Sequence, residues 1–351
     1  MSKELGKIQN ETFEDIIFNN CGRSRQEVSV GPAFGVDVSV VDLPNGLALA
    51  STSDPLSLIP SLGLEESAWL SVHLMANDMA TTGFAPMYGQ MVLNLPAGFS
   101  REDFKTYWQY IHKFSDDIGL ALTGGHTGFI EGQNSTISGG GTFSTVAPKK
   151  DILISRNANP NDVILVTKQC ALSSTSILGM SFPETVKKKL GKEVYEESCK
   201  NFYQTSSLKD ALAAAGKEEK HKDVTAMHDV TEGGVLGAIY ELARASGSGA
   251  QVYNELLPVG NVQKQICDLF SIDPRFSIGA GSMIITCKKG SEQDVIARLN
   301  EEDIRCTVVG EITEKEEGIK LMDNGINKEL PYPSEDPYWS AFFKALNSGW
   351  K

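Results

Sequence analysis

The sequence predicts an α+β protein of two domains, each a mixed or antiparallel sheet with helices packed on it. Strand-like alternation and helical stripes follow one another through both halves, with hairpin signals between them. The composition breaks between Pro148–Asp151 and Pro160–Asp162, after which a new buried strand opens, dividing the chain into 1–150 and 151–351. At 351 residues the chain is long for one domain and comfortable for two, and either half can bury a core.

The elements follow in order. Phe13, Ile16 and Ile17 suggest a helix in an N-terminal arm that ends at Cys21-Gly22. Residues 35–43 alternate as a strand, Asn45-Gly46 signals a hairpin, and 47–54 return. Antiparallel pairing then brings Asp37 near Asp54. Two such carboxylates are either solvated strand ends or share a cation. Residues 65–83 form a helix with Ala68, Trp69, Val72, Met75, Ala76 and Met79 in one stripe. Asn77 and Asp78 lie off that stripe, facing either solvent or a cleft.

A strand at 86–95, a turn at Pro96 and a helix carrying Phe104, Trp108, Ile111 and Ile118 come next. Residues 120–128 read as a strand running into a glycine loop, Gly124-Gly125-His126-Thr127. Residues 135–146 are a strand containing Gly139, Gly140 and Gly141, which implies a bulge or a close approach to the backbone. In the second half, a strand at 162–167 leads to a helix-rich insert that ends near Gly216. Strands at 249–253, 279–287 and 306–312 enclose helices at 259–270 and 292–300. The tail from Asp323 is polar and aromatic.

The stretch from Asp223 to Gly247 carries the most chemistry. A strand over 223–227 delivers His228, Asp229, Thr231 and Glu232 to Gly233-Gly234, and a helix follows with Val235, Leu236, Ile239, Leu242 and Ala243 on one face. Gly247 stands where a left-handed residue closes the helix. A glycine-bared helix start presents free N–H groups to phosphate, and Asp229 is placed to hold a metal. The competing reading is a plain cap by Asp229 or Thr231.

Composition excludes several classes. Forty-five acidic against 32 basic residues, a net charge of −13, disfavours a nucleic-acid binder or an anionic membrane surface. No apolar run approaches the ~20 residues of a membrane span, and the first residues have no apolar leader core. The six cysteines never fall as C-x-x-C. A soluble, cytoplasmic, reduced protein is expected. A P-loop, a dinucleotide fingerprint and a nucleophile elbow are all missing.

Five motifs stand in order: Gly35–Val41, Ser51–Asp54, Asn77–Gly83 with Ala85-Pro86, Gly124–Thr127, and His228–Gly234. Together they make the chain resemble the aminoimidazole ribonucleotide synthetase superfamily over nearly its whole length. That group includes the synthetase, thiamine-monophosphate kinase, selenophosphate synthetase and the hydrogenase-maturation carbamoyl dehydratase. The resemblance implies a homodimer paired through its N-terminal domains, with ATP in a cleft. It implies Mg2+ held by Asp37, Asp54, Asp78 and Asp229. It places the nucleotide against Asn77, Gly124, Gly125, Thr127, Gly139, Gly140, Thr231, Gly233 and Gly234. The activity implied is phosphorylation of an amide or acid oxygen of a small molecule or a protein terminus. No catalytic side chain is singled out.

The second-domain motif and the short acidic strand are most similar to the carbamoyl dehydratase (HypE-like) branch. That enzyme dehydrates a thiocarboxamide on its own C-terminal cysteine. The last cysteine here, Cys306, lies in a predicted strand. The resemblance therefore implies an acceptor on another molecule, or a different acceptor. His126 stands where that branch has an acid, and the branch's glycine-rich arm is reduced to Gly6-Lys7. Cys21 is placed early, as in selenophosphate synthetase, within a different surrounding pattern. The alternatives are synthetase-like cyclo-ligase chemistry and a non-catalytic nucleotide-binding relative.

Overall fold

The computed structural model describes residues 6–8, 10–216, 223–333 and 335–351. The first five residues, read above as lacking a leader, lie outside them. The arm begins with one turn, α1 (Asn10–Thr12), and continues as π and 3-10 turns over Phe13–Asn20 instead of the predicted regular helix. Ile16 and Phe18 are exposed there, so no apolar face is buried to hold a longer helix.

The first sheet contains β1 (Val28–Val30), β2 (Ser39–Asp42), β3 (Leu47–Ser57), β4 (Tyr88–Pro96), β5 (Ala121–Ile130) and β6 (Ile137–Pro148) in the order β1-β2-β3-β6-β4-β5. Only β4 and β5 pair in parallel. Helices α2 (Leu64–Ala80) and α3 (Arg101–Asp117) cover one face. Ser100 starts α3 by accepting the Asp103 N–H. Val72 and Met75 of α2 pack with Leu56, Met91, Leu93 and Phe143 of the sheet. Each such fully buried side chain contributes about 1.5–3 kcal/mol.

Two strand expectations change. The strand predicted at 35–43 narrows to Ser39–Asp42, which leaves Asp37 in the approach to it. Gly35, at φ +70°, turns the chain against the second domain, and the Glu241 carbonyl oxygen lies 2.4 Å from where a Cβ would stand. The predicted glycine loop at 124–127 lies inside β5, a continuous edge strand.

The second sheet contains β7 (Val163–Thr167), β8 (Val224–Asp229), β9 (Gly249–Tyr253), β10 (Met283–Cys287), β11 (Cys306–Thr313), β12 (Ile319–Asp323) and β13 (Ile326–Glu329), ordered β13-β12-β9-β11-β7-β10-β8. Pairing is antiparallel except for β9 with β12. The helices are α4 (Leu172–Ser181), α5 (Pro183–Leu190), α6 (Lys192–Phe202), α7 (Leu208–Ala215), α8 (Gly234–Ser246), α9 (Asn261–Phe270), α10 (Glu292–Asn300) and α11 (Pro337–Asn347). Helix α8 packs Val235, Leu236, Ile239 and Leu242 on one sheet face. Helices α7 and α10 cover the other with Ala211, Ala214, Val295 and Leu299.

Ala76 and Ala80 of α2 join that second cluster, so α2 is shared by both domains and stands at their joint. The polar and aromatic tail from Asp323 supplies β13, which pairs with β12, then α11, which packs Tyr338, Ala341 and Ala345 against Phe182 and Phe270. Among the described residues, no helix is long and apolar enough to cross a membrane.

Candidate active site

The joint between the domains collects carboxylates from four elements. Asp37 precedes β2, Asp54 lies on β3, Asp78 closes α2 and Asp229 ends β8. On β3, Thr52 and Asp54 share the alternating face that looks toward α2, and Thr52 Oγ1 donates to Asp78 Oδ2 at 2.8 Å. Asp78 is in the last turn of its helix, where the backbone dipole disfavours a negative charge. Local energetics therefore oppose an anion at this position, and something else must compensate it.

The carboxylates feel one another. Burial, with Glu232 nearby and Lys7 opposing, pushes Asp54 up to about 6. Burial and the neighbouring Asp37 and Asp54 push Asp229 up to about 7, against His228 and Lys7. Burial, then Asp229, Asp54 and Asp37, hold Asp78 well above the usual carboxylate range. Like charges that share a low-dielectric site behave in this way, and a cation is the group that relieves them.

Among the described residues, no three His, Cys, Asp or Glu side chains converge into a metal shell of their own. Magnesium usually takes one or two carboxylates and completes its octahedron with phosphate and water. Spread, mutually repelling aspartates suit that ion with a phosphorylated substrate better than they suit an all-protein cage.

A second layer surrounds the aspartates. His228 is buried, with Nδ1 2.8 Å from Asp37 Oδ2 and Nε2 2.9 Å from Glu241 Oε2. Burial would lower its pKa, but Asp37 and Glu241 raise it well above the ordinary value. With a carboxylate at each nitrogen, the ring is an imidazolium. Glu241 also accepts from Tyr332 Oη at 2.6 Å. Burial opposes its charge, yet Lys7, His228 and Tyr332 bring it down to about 2. Lys7 Nζ reaches Thr231 Oγ1 at 2.8 Å and Glu241 at 3.7 Å. Its backbone N–H donates to Glu232 Oε2 at 2.8 Å.

Glu241, Lys7 and Tyr332 did not emerge from the sequence as site residues. Glu241 sits between Tyr240 and Leu242 in a helix read for its apolar stripe. The only available signal was a carboxylate bordering that buried face.

The predicted nucleotide-contacting residues divide. Asn77 is fully buried, and its carboxamide donates to Thr205 O at 2.9 Å and accepts from Ser207 N at 2.7 Å, bracing one domain on the other. Gly233 does not present a free donor, because its N–H goes to Asp336 Oδ2 at 2.8 Å. Neither Asp229 nor Thr231 caps α8. Asp336 of the tail supplies the negative charge at that helix start and caps α11 through Tyr338 N. Burial pushes Asp336 up to about 7. Trp339 Nε1 adds a 3.2 Å bond to Glu232.

Strand register places Asp54, Gly141, Met91 and Gly125 in one row across the sheet. At φ +145° Gly125 packs on the Met91 carbonyl, and at φ +136° Gly139 packs on the Val92 carbonyl. The close approach inferred for the strand glycines is thus made by β4, and side chains there would meet its backbone. At Gly124 a Cβ would meet open space, and Gly140 lies against the Asp54 carbonyl. Thr127 is exposed on β5. His126 pairs with the exposed Val92 and so occupies the outer sheet face, away from the Asp54 row.

Residues 35–144 match the family described as AIR synthase related protein, N-terminal domain, and residues 159–321 match AIR synthase related protein, C-terminal domain. The carbamoyl dehydratase HypE of Azotobacter vinelandii is 26% identical over 257 residues, covering 72% of this chain and 70% of that protein. A structure of E. coli HypE superposes with a TM-score of 0.69 at 20% identity, over 90% of this chain and 94% of that one. A structure of HypE in complex with ATP superposes at 0.64 and 16%, over 95% and 97%. Two family domains in the expected order, on two mixed sheets, make this chain a member of the AIR synthase-related family.

Proposed function

We propose that the protein is an ATP- and Mg2+-dependent enzyme that activates an amide or acid oxygen by phosphorylation, in the manner of the carbamoyl dehydratase. One observation carries the reading: Asp54, Asp78 and Asp229, from two domains, are buried at a single joint, where Asp54 raises the pKa of Asp229 and both raise that of Asp78. A fold without a cationic partner has no reason to collect these charges. Asp54, Asp78 and Asp229 would hold the metal, and Asp37, fixed by His228, completes the negative field. The metal would neutralise charge on the transferring phosphoryl group.

The exposed β5 positions Gly124 and Thr127, the thin sheet at Gly125, Gly139 and Gly140, and the second wall at Thr231 are assigned to the nucleotide, whereas Gly234, whose N–H donates to the Thr231 carbonyl and which packs on the backbone of 275–277, belongs to the frame. Asn77 and Gly233 are assigned to the frame. Attack by a carboxamide oxygen on the terminal phosphorus releases ADP and forms an O-phosphoryl imidate. Loss of phosphate and a proton from that species leaves a nitrile. The acceptor is a small molecule or a protein terminus.

The outer sheet face exposes Tyr88 and Val92 of β4. An apolar patch of this kind marks an interaction surface, and we assign it to a second copy in a cytoplasmic homodimer. Val92→Lys is expected to shift a light-scattering mass from dimer to monomer. An unchanged mass removes the assignment.

The enzymatic reading is tested by product analysis. ATP is incubated with carboxamide, ribonucleotide and thiamine-phosphate acceptors, with Mg2+ or with chelator. ADP and phosphate released only with metal and a carboxamide are expected. AMP as product, or turnover indifferent to metal, contradicts the assignment.

A further inference from the structure

Away from the four aspartates, the two domains border an open cavity of about 1350 Å³. From the first domain it takes Trp69 and His73 of α2 and Asp117 of α3, and from the second Tyr203, Asp294 and Glu301. No role described above uses it.

Its inner wall is aromatic. Trp69 stacks on His73 with centroids 3.7 Å apart and meets Tyr203 edge-on at 5.2 Å. Tyr203 is 41% exposed, so its ring is available. His73 is 5% exposed, and its Nδ1 lies 2.9 Å from Ser206 Oγ. Its Nε2 is buried without a hydrogen-bond partner. Burial and the nearby Lys168 lower its pKa to about 3, so the ring is neutral. If Nδ1–H donates to Ser206, the unmet atom is an acceptor.

The charge around the wall is uneven. Among the described residues, each basic side chain of the lining is already matched: Lys168 with Asp210 at 2.9 Å, Lys209 with Glu302 at 3.1 Å and Arg298 with Asp223 at 3.6 Å. Asp117, Asp294 and Glu301 also line the cavity, and none of them is in an ion pair among the described residues. Among the described residues the surplus is negative at the rim, and the inner wall offers ring faces. Flat cations are attracted by both.

We propose that this cavity is a second binding site, for a small organic cation with a flat apolar body, held between the aromatic wall and the acidic rim. A ligand there touches both domains, so its occupancy fixes their joint at a place separate from the four aspartates.

The test titrates full-length protein, by calorimetry, with tryptamine, its neutral counterpart 3-ethylindole and its anionic counterpart indole-3-acetate. Saturable one-site binding is expected for tryptamine, weaker binding for the neutral compound and none for the anion. The double variant Asp294→Asn, Glu301→Gln changes exposed side chains and keeps the fold. It is expected to weaken tryptamine on the order of tenfold, as loss of two nearby solvated charges dictates. Trp69→Leu is expected to remove binding, with circular dichroism as the check on folding. Equal or tighter binding of indole-3-acetate, an unchanged tryptamine affinity in the double variant, or no binding of tryptamine at all would overturn the proposal. The site shares no residue with the nucleotide assignment, so either reading can fail without the other.

Discussion

Replacing Asp54 by Asn removes one charge from the joint and keeps the side-chain shape. Among the described residues the Asp54 carboxylate makes no hydrogen bond, so the substitution breaks none. Its pKa rises from 3.8 to about 6 in the fold. At ~1.4 kcal/mol per unit, ionising it inside the protein costs about 3 kcal/mol more than ionising it in the unfolded chain. Part of that cost is shared with Asp78 and Asp229, so about 2–3 kcal/mol is the expected gain. The sign follows from linkage. A carboxyl with a raised folded-state pKa loses stability as pH climbs from about 4 through 6, and the loss is complete above that.

In chelator at pH 8, Asp54→Asn is therefore expected to melt several degrees above the wild type, with the difference gone near pH 4. Adding Mg2+ with a non-hydrolysable ATP analogue reverses the order, because the wild type gains a ligand that the variant binds poorly. Thermal melts across pH, with and without metal, read both effects. A variant less stable than wild type in chelator at pH 8 would show that Asp54 is a satisfied structural carboxylate, and the reasoning would fail.

Other perturbations address the frame. His228→Ala strips the shared cation from Asp37 and Glu241 and is expected to cost about 3–5 kcal/mol in urea unfolding. Because the folded-state pKa of His228 is raised, its contribution is full below pH 6.5 and declines as pH rises through that higher value. Asn77→Leu leaves the Thr205 carbonyl and the Ser207 N–H unpaired, for a loss of about 2–4 kcal/mol. An unchanged urea midpoint would refute the brace. Asp336→Ala removes one cap from α11 and the partner of Gly233, and a drop of about 1–2 kcal/mol is expected in the same assay.

The parts of the fold that depend on local pattern were legible in the sequence. The stripe through Val72, Met75 and Met79 fixed α2, and Gly247 closed α8 in the left-handed conformation as expected. Local pattern leaves Asp37 and Asp54 as solvated strand ends or a shared cation site and Asp78 facing solvent or a cleft; only the family resemblance groups the four aspartates. The course of β5 was not legible, since consecutive glycines read as a loop until the β4 backbone is there to pair with them. The Gly233 donor is lost to Asp336, 103 residues downstream, and no local pattern encodes that partner. Lys7 and Tyr332 reach Glu241 from opposite ends of the chain, so the ring of charge around His228 exists only once both domains have folded.

The account stands on the aspartates serving a metal–nucleotide complex. Calorimetric titration of ATP into wild type and Asp78→Asn, each with Mg2+ and with chelator, tests that most directly. Saturable binding by wild type that requires Mg2+, absent from a folded Asp78→Asn, is the predicted result. Metal-independent binding, or equal binding by the two proteins, would contradict it.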